Sequence, residues 1–206
     1  MAIPVRAADA TRQRLLRAAL ELYTSVGFRA TTTPMLAERA GVAEGTIYRH
    51  FGSKEELLNE AYRGAQRWAA GLVTEILTER SGGAPDRLRR LARRIIEGAE
   101  RDPAAVRMVL QFREGSHLDE ASRSAAREFR GALEKIIAEG KSDGLVRSGP
   151  AELWAGVWLA LVGFAAERVR AREWAADHSQ VGLTLEAAWD AIGAAGRQDP
   201  TSRHGS

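Results

Sequence analysis

Glycines and hydroxyl-bearing caps that cut helical spacing into short pieces constrain this chain more than any other feature. Apolar residues recur at three- and four-residue intervals along most of its length, with no sustained strand-like alternation. Leu15, Leu16, Ala19, Leu22, Tyr23 and Val26 fall on one face of a first helix expected over about Thr11–Ser25, and Gly27 stops it. Thr32 and Thr33 cap a second helix that accepts Pro34 in its first turn, buries Leu36, Ala37 and Ala40, and ends at Gly41. A third, over about Glu44–His50, turns Ile47 and Phe51 inward. Ser53 then caps a long fourth helix, and Glu56 completes a capping box ahead of the stripe Leu57, Leu58, Ala61, Ala65, Trp68, Leu72 and Ile76. Two short helices joined by a tight turn, between longer ones, form a helix-turn-helix.

The stretch Ser81-Gly82-Gly83-Ala84-Pro85-Asp86 is the clearest break in the pattern. Five further helices are expected after it. Leu88, Leu91, Ala92, Ile95 and Ala99 mark the fifth; Ala105, Met108, Val109 and Phe112 mark the sixth. Ala125, Phe129, Ala132, Leu133, Ile136 and Ile137 mark the seventh, with Gly140 as its stop. The eighth spans roughly Ala151–Arg172 and the ninth roughly Val181–Ile192, and the tail after Gly196 is expected to be disordered. The fold class is therefore all-α, with about nine helices.

Composition narrows the function. With no cysteine, disulfides, thiol nucleophiles and thiolate metal sites are excluded. The first residues carry no apolar run suited to a signal peptide, and the longest uncharged apolar stretch, Leu153–Ala166, is too short for a bilayer. A cytoplasmic protein is expected, with no membrane partner, metal or cofactor. The formal charge is only +3, but residues 1–54 hold eight basic side chains against four acidic ones. That asymmetry puts an electrostatic footprint on the N-terminal module.

A recognition helix must present a slim polar face to enter a DNA major groove. With Ile47 and Phe51 inward, the third helix offers Glu44, Gly45, Thr46, Tyr48 and Arg49. Gly45 permits close backbone approach, and Thr46 can bond a base or phosphate or pack its methyl on thymine. Glu44 either accepts from a cytosine amine or only favours the helix dipole. Tyr48, His50 and Lys54 are placed for phosphate oxygens, and the start of the second helix at Thr32, Thr33 and Pro34 is a second phosphate site, through the Thr33 hydroxyl and the free N–H groups of residues other than the proline. Double-stranded DNA is the expected partner.

Thr32-Thr33, Leu36-Ala37, Ala40-Gly41-Val42, Gly45-Thr46-Ile47-Tyr48, His50-Phe51 and Ser53-Lys54-Glu55-Glu56-Leu57-Leu58 together resemble the DNA-binding domain of the tetracycline-repressor (TetR) family. The resemblance covers about the first 65 residues. It implies a TetR-type domain at 8–68 with its motif at about 32–51, an effector-binding and dimerisation domain at 69–196, and a tail at 197–206. It also implies a homodimeric repressor released from its operator by a small molecule. Ala43 stands where a hydroxyl often caps the third helix, which forgoes about 1 kcal/mol.

The eighth helix is apolar all round and must be covered on every side. A partner subunit is expected there, with Gly156, Ala160 and Gly163 allowing close approach and Val181, Leu185, Trp189 and Ile192 contributing from the ninth helix. A two-fold dimer predicts a roughly palindromic operator. Trp68, Met108, Phe112, Trp154, Trp158 and Phe164 are read either as plain core or as walls of an effector pocket for an apolar or aromatic molecule, with Gln111 and Arg113 as orienting polar groups. Two other functions compete: a DNA-binding regulator, activating or partner-controlled, without a small ligand, and remotely an enzyme on a helical scaffold. The four histidines are widely separated and no metal-binding or phosphate-cradling motif appears, so no catalytic residue is assigned.

Overall fold

The computed structural model describes residues 4–79, 81–112 and 115–194. Among them are nine α-helices: α1 (Pro4–Ser25), α2 (Thr33–Ala40), α3 (Glu44–His50), α4 (Lys54–Thr78), α5 (Ala84–Arg101), α6 (Pro103–Leu110), α7 (Glu120–Ser142), α8 (Ala151–Arg170) and α9 (Ser179–Asp190). The tail expected after Gly196, and Arg113, lie outside the described residues.

Local signals set the ends of the first four helices. Gly27 turns left-handed at φ 96° and donates to the Leu22 carbonyl, ending α1. The Thr32 hydroxyl accepts from Met35 N at 3.4 Å, and Gly41 closes α2 at φ 64° by donating to Ala37 and Glu38. Ser53 Oγ accepts from Glu56 N at 3.0 Å, but the Glu56 carboxylate reaches Gly52 N at 2.6 Å rather than the Ser53 amide, so the expected box is shifted by one residue. α1 itself starts at Pro4 rather than near Thr11, since proline is tolerated in a first turn.

Two cores share the long helix α4. Leu57, Leu58, Ala61, Tyr62 and Ala65 pack with Leu15, Ala19, Tyr23, Leu36, Ile47 and Phe51 in the N-terminal core; Ala69, Val73 and Ile76 enter the core of α5, α7, α8 and α9. α4 runs unbroken through the boundary placed at residue 68. Met108 of α6 and Ala126 of α7 also reach into the N-terminal core, so the two halves are packed together.

The seventh helix departs from its expected end. Gly140 does not stop it, because α7 continues to Ser142 and the left-handed residue is Gly144, at φ 71°. Gly140 is a point of close approach instead: a Cβ there would lie 2.6 Å from the Ala84 methyl and 2.9 Å from Val146. Its carbonyl accepts from Leu145 and Val146, and an antiparallel bridge between Val146 and Gly193 ties this loop to the end of α9.

Candidate nucleic-acid interface

Ile47 and Phe51, both buried, seat α3 against the N-terminal core. Gly41 leads through Val42 and Ala43 into α3; Arg14 of α1 donates to the Gly41 carbonyl at 3.4 Å and steadies that turn. Ala43 caps α3 without a side-chain bond, as its methyl dictates. The opposite face of α3 is open: Glu44, Gly45, Tyr48 and Arg49 are exposed, Thr46 and His50 half-buried. Tyr48, at 60% exposure, brings its hydroxyl 3.4 Å from Thr33 Oγ1, joining α3 to the start of α2, where Thr32 and Pro34 are also exposed. Of the ten residues expected to meet DNA, Thr32, Pro34, Glu44, Gly45, Tyr48 and Arg49 are exposed and Thr33, Thr46 and His50 half-buried, and none of these nine has an ion pair among the described residues.

Lys54 is the tenth and is placed differently. Its ammonium donates to the carbonyls of Phe28 and Thr31 at 3.0 and 2.9 Å and sits 4.3 Å from the Phe28 ring centroid. It clamps the α1–α2 connection to the start of α4, where Tyr23 Oη also donates to the Lys54 carbonyl. These bonds compete with a free phosphate grip.

The residues expected around an effector are scattered. Trp68 lines a cavity between α1, α4, α5 and α6. Met108 is buried in the N-terminal core, Phe112 stacks at a tilt on Tyr62, and Trp158 is buried in the C-terminal core. Gln111 bridges α6 to α8, accepting from Arg107 and donating to Glu167, whose carboxyl is held below its usual pKa chiefly by the Arg170 hydrogen bond. Trp154 donates to the Ser148 carbonyl, and Phe164 is 46% exposed beside Arg168 and Trp174. Trp68, Trp158 and Gln111 line three different cavities, because aromatic spacing along each helix cannot report which faces meet.

Several cavities open in this region, one of about 470 Å³ between α5 and the start of α9 among them. The one beside Trp68 holds about 450 Å³, and a second of about 310 Å³ lies between α4, α6, α7 and α8. The second is lined by Gln66, whose buried Oε1 has no hydrogen-bond partner among the described residues. Sequence spacing offered no signal for Gln66, nor for the cavity-lining Arg67 and Arg94, which read as solvated charges.

Of the expected dimer residues, Val181 and Ile192 belong to the subunit's own core, and Leu185 and Trp189 are half-buried facing α5. Gly163 is half-buried near Leu110, while Gly156 and Ala160 are exposed. Leu153, Gly156, Ala160 and Phe164 are exposed at helical spacing on one side of α8, where Gly156 and Ala160 also line the second cavity, and Leu183 is exposed on α9. The expected α9 face is thus rotated toward the subunit interior, because α5 already occupies that side.

Residues 15–61 match the model of the bacterial regulatory proteins of the tetR family. Over 138 residues the chain is 31% identical to the nucleoid occlusion factor SlmA of Marinobacter nauticus, spanning 67% of this chain and 70% of that protein. The chain belongs to the TetR family. This TetR-family chain is also 36% identical over 69 residues to the transcriptional repressor KstR2 of Mycobacterium tuberculosis, a match spanning only about a third, 34%, of either length. Its fold is that of a TetR family transcription regulator from Marinobacter aquaeolei (TM-score 0.78, 19% identity, 92% of this chain and 99% of that one). The KstR2 structure from M. tuberculosis is similar too (TM-score 0.69, 22% identity, 88% and 94% covered). Among the described residues no helix is long and apolar enough to cross a membrane.

Proposed function

We propose that this TetR-family chain is a sequence-specific, double-stranded-DNA-binding transcriptional repressor of the cytoplasm. It acts as a homodimer and leaves its operator when a small apolar or aromatic effector binds. The observation that carries the DNA reading is the open face of α3, with Gly45, Thr46, Tyr48 and Arg49 outward beside the exposed start of α2. Thr46 and Glu44 are the base-reading candidates; Thr32, Thr33, Tyr48, Arg49 and His50 hold phosphates. The similarity to KstR2 repressors over the N-terminal third supports the sign of regulation.

The strip Leu153, Gly156, Ala160, Phe164 and Leu183 is the surface we assign to a second copy of the chain. Leu183 is 63% and Leu153 52% exposed, a cost that a partner subunit removes. Two recognition helices would then sit about 34–36 Å apart, or a multiple of that, on a roughly palindromic site. Gel-shift titration against DNA upstream of the chain's own and neighbouring genes tests the central claim. Retention that falls steeply with salt is expected; no retention at low salt overturns it. Phe164→Glu with Leu183→Glu should give monomers by sedimentation, and dimers in that variant would place the interface elsewhere.

A second reading has its own support in the similarity to the nucleoid occlusion factor SlmA, which extends well beyond the reading head. In that reading the chain binds DNA without release by a small molecule. Operator binding that no metabolite extract weakens favours it over the effector-controlled repressor.

A further inference from the structure

The cavity beside Trp68 lies where the reading head meets the rest of the molecule. Leu16 and Leu20 of α1, Ala65 and Trp68 of α4, and Gly98 of α5 line its apolar side. The Trp68 indole is pressed onto Gly98, where a Cβ would come within 2.8 Å of the ring, so this wall is tightly fixed. Its volume, about 450 Å³, suits a small organic molecule.

Its charged groups fall into two sets. Arg12 pairs with Glu60, Arg101 with Glu97, and Asp102 with Arg17, so these balance one another. Arg67 and Arg94, both solvent-exposed, also line the cavity, and neither has an ion pair or side-chain hydrogen bond among the described residues. Two uncommitted guanidinium groups beside an apolar wall suit a carboxylate or sulfonate carried on an apolar body. The second cavity has the opposite balance, one arginine (Arg130) and two carboxylates (Glu134 and Glu152) in its lining, which favours an anion less.

The rim is wired to the reading head. Asp102 accepts from Ala105 N at 3.2 Å, capping α6, and from Arg17 of α1 at 3.0 Å. Arg17 continues to Glu21 at 3.2 Å, and Glu21 to Arg39 of α2. A molecule wedged between α1 and α5 therefore bears on the same helix that holds α2 in place.

We infer that this seam cavity binds an amphipathic organic anion, and that its occupation changes the pose of the reading head through α1 and the Asp102–Arg17–Glu21–Arg39 chain. The inference deepens the effector-controlled reading above and rests on it for its effect on DNA. An anion held by Arg67 and Arg94 fills the wedge between head and body. A head pose set by the filled wedge is one of two populations whose ratio the ligand shifts.

The test uses two dyes with the same aromatic body: anilinonaphthalene sulfonate, which carries the charge, and N-phenyl-1-naphthylamine, which does not. Fluorescence titration of the full chain should find one saturable site per chain. Arg67→Gln with Arg94→Gln should weaken the sulfonate about tenfold or more and leave the neutral dye nearly unchanged. Gly64 lines the cavity and has open space around its Cβ position, so Gly64→Leu should fill it without disturbing the fold by circular dichroism and abolish both dyes. Gln66→Leu, in the second cavity, should change neither. Sulfonate binding that survives Gly64→Leu, or equal loss of both dyes in the double arginine variant, overturns the site. Saturating sulfonate should release DNA from the native chain and not from Gly64→Leu; no release, or release in both, overturns the coupling. A chain that binds the dyes but no DNA breaks the regulator reading alone.

Discussion

The reading head and the body behind it are both helical, yet their sequences specify them in different ways. In the head most helix ends carry their own chemical mark: Gly27, Thr32, Gly41 and Ser53 act within a few residues of themselves, while α3 begins without a side-chain cap. In the body the decisive residues act at a distance. Gly140 is needed because Ala84 and Val146 crowd it, and Trp158 is core because α5 and α9 cover it. A head coded locally can keep the outer side of α3 free for a partner; a body coded by contacts spends most of its apolar surface on itself and leaves Leu153, Phe164 and Leu183 outside.

The strongest way to break this contrast is Trp158→Ala. Loss of a buried indole should cost about 3–5 kcal/mol in urea unfolding. Because Met108 and Ala126 lock body helices into the head core, far-UV circular dichroism and fluorescence should report one shared transition. Two separated transitions would show that head and body fold independently. Next is Gly140→Val, which should cost about 1–3 kcal/mol by overpacking; an unchanged midpoint would restore Gly140 as a mere helix stop.

Lys54→Met sharpens the comparison within the head. It should lower stability by about 1–2 kcal/mol by stranding two backbone carbonyls. It should leave the salt slope of DNA binding unchanged, whereas Arg49→Ala should reduce that slope by about one. A flattened slope in Lys54→Met would return its ammonium to the phosphates. Tyr23 gives a pH signature: burial, then the nearby Glu55 charge, raises its hydroxyl well above the usual 10.0. The folded state binds that proton more tightly than the unfolded chain, so its stability is full below pH 10 and lost as pH rises beyond it. Tyr23→Phe should remove this alkaline loss at a neutral-pH cost of about 1 kcal/mol for the bond to the Lys54 carbonyl. The smallest effect is a gain: Ala43→Ser should supply the missing cap of α3 and stabilise the head by about 0.5–1 kcal/mol.

Much of the reading face was legible before any coordinates. The inward pair Ile47 and Phe51 fixes which side of α3 remains for Tyr48, Thr46 and Arg49, since helical spacing leaves no other choice. Lys54 was not legible, because a lysine at a helix start looks the same whether its ammonium meets phosphate or turns back onto Phe28 and Thr31. The effector wall was only partly legible, for a related reason: Trp68 does line a cavity, but its partners are dispersed. Trp154, Trp158 and Phe164 lie on one helix at helical spacing, yet one hydrogen-bonds a loop, one is core and one faces outward. Arg67 and Arg94 are exposed charges, as their sequence setting suggests; only the approach of α4 to α5 sets them beside the same cavity.

The sequence alone determined the all-helical class, the helix-turn-helix and its exposed face, and the family resemblance. Periodicity, caps and glycines act over one or two turns and are written in order along the chain. Tertiary structure alone decided that Gly140 is a contact, that Val181 and Ile192 face the subunit interior, and that a cavity opens at the seam. Each depends on how two distant helices approach, and burial energy is shared among residues that no local spacing connects.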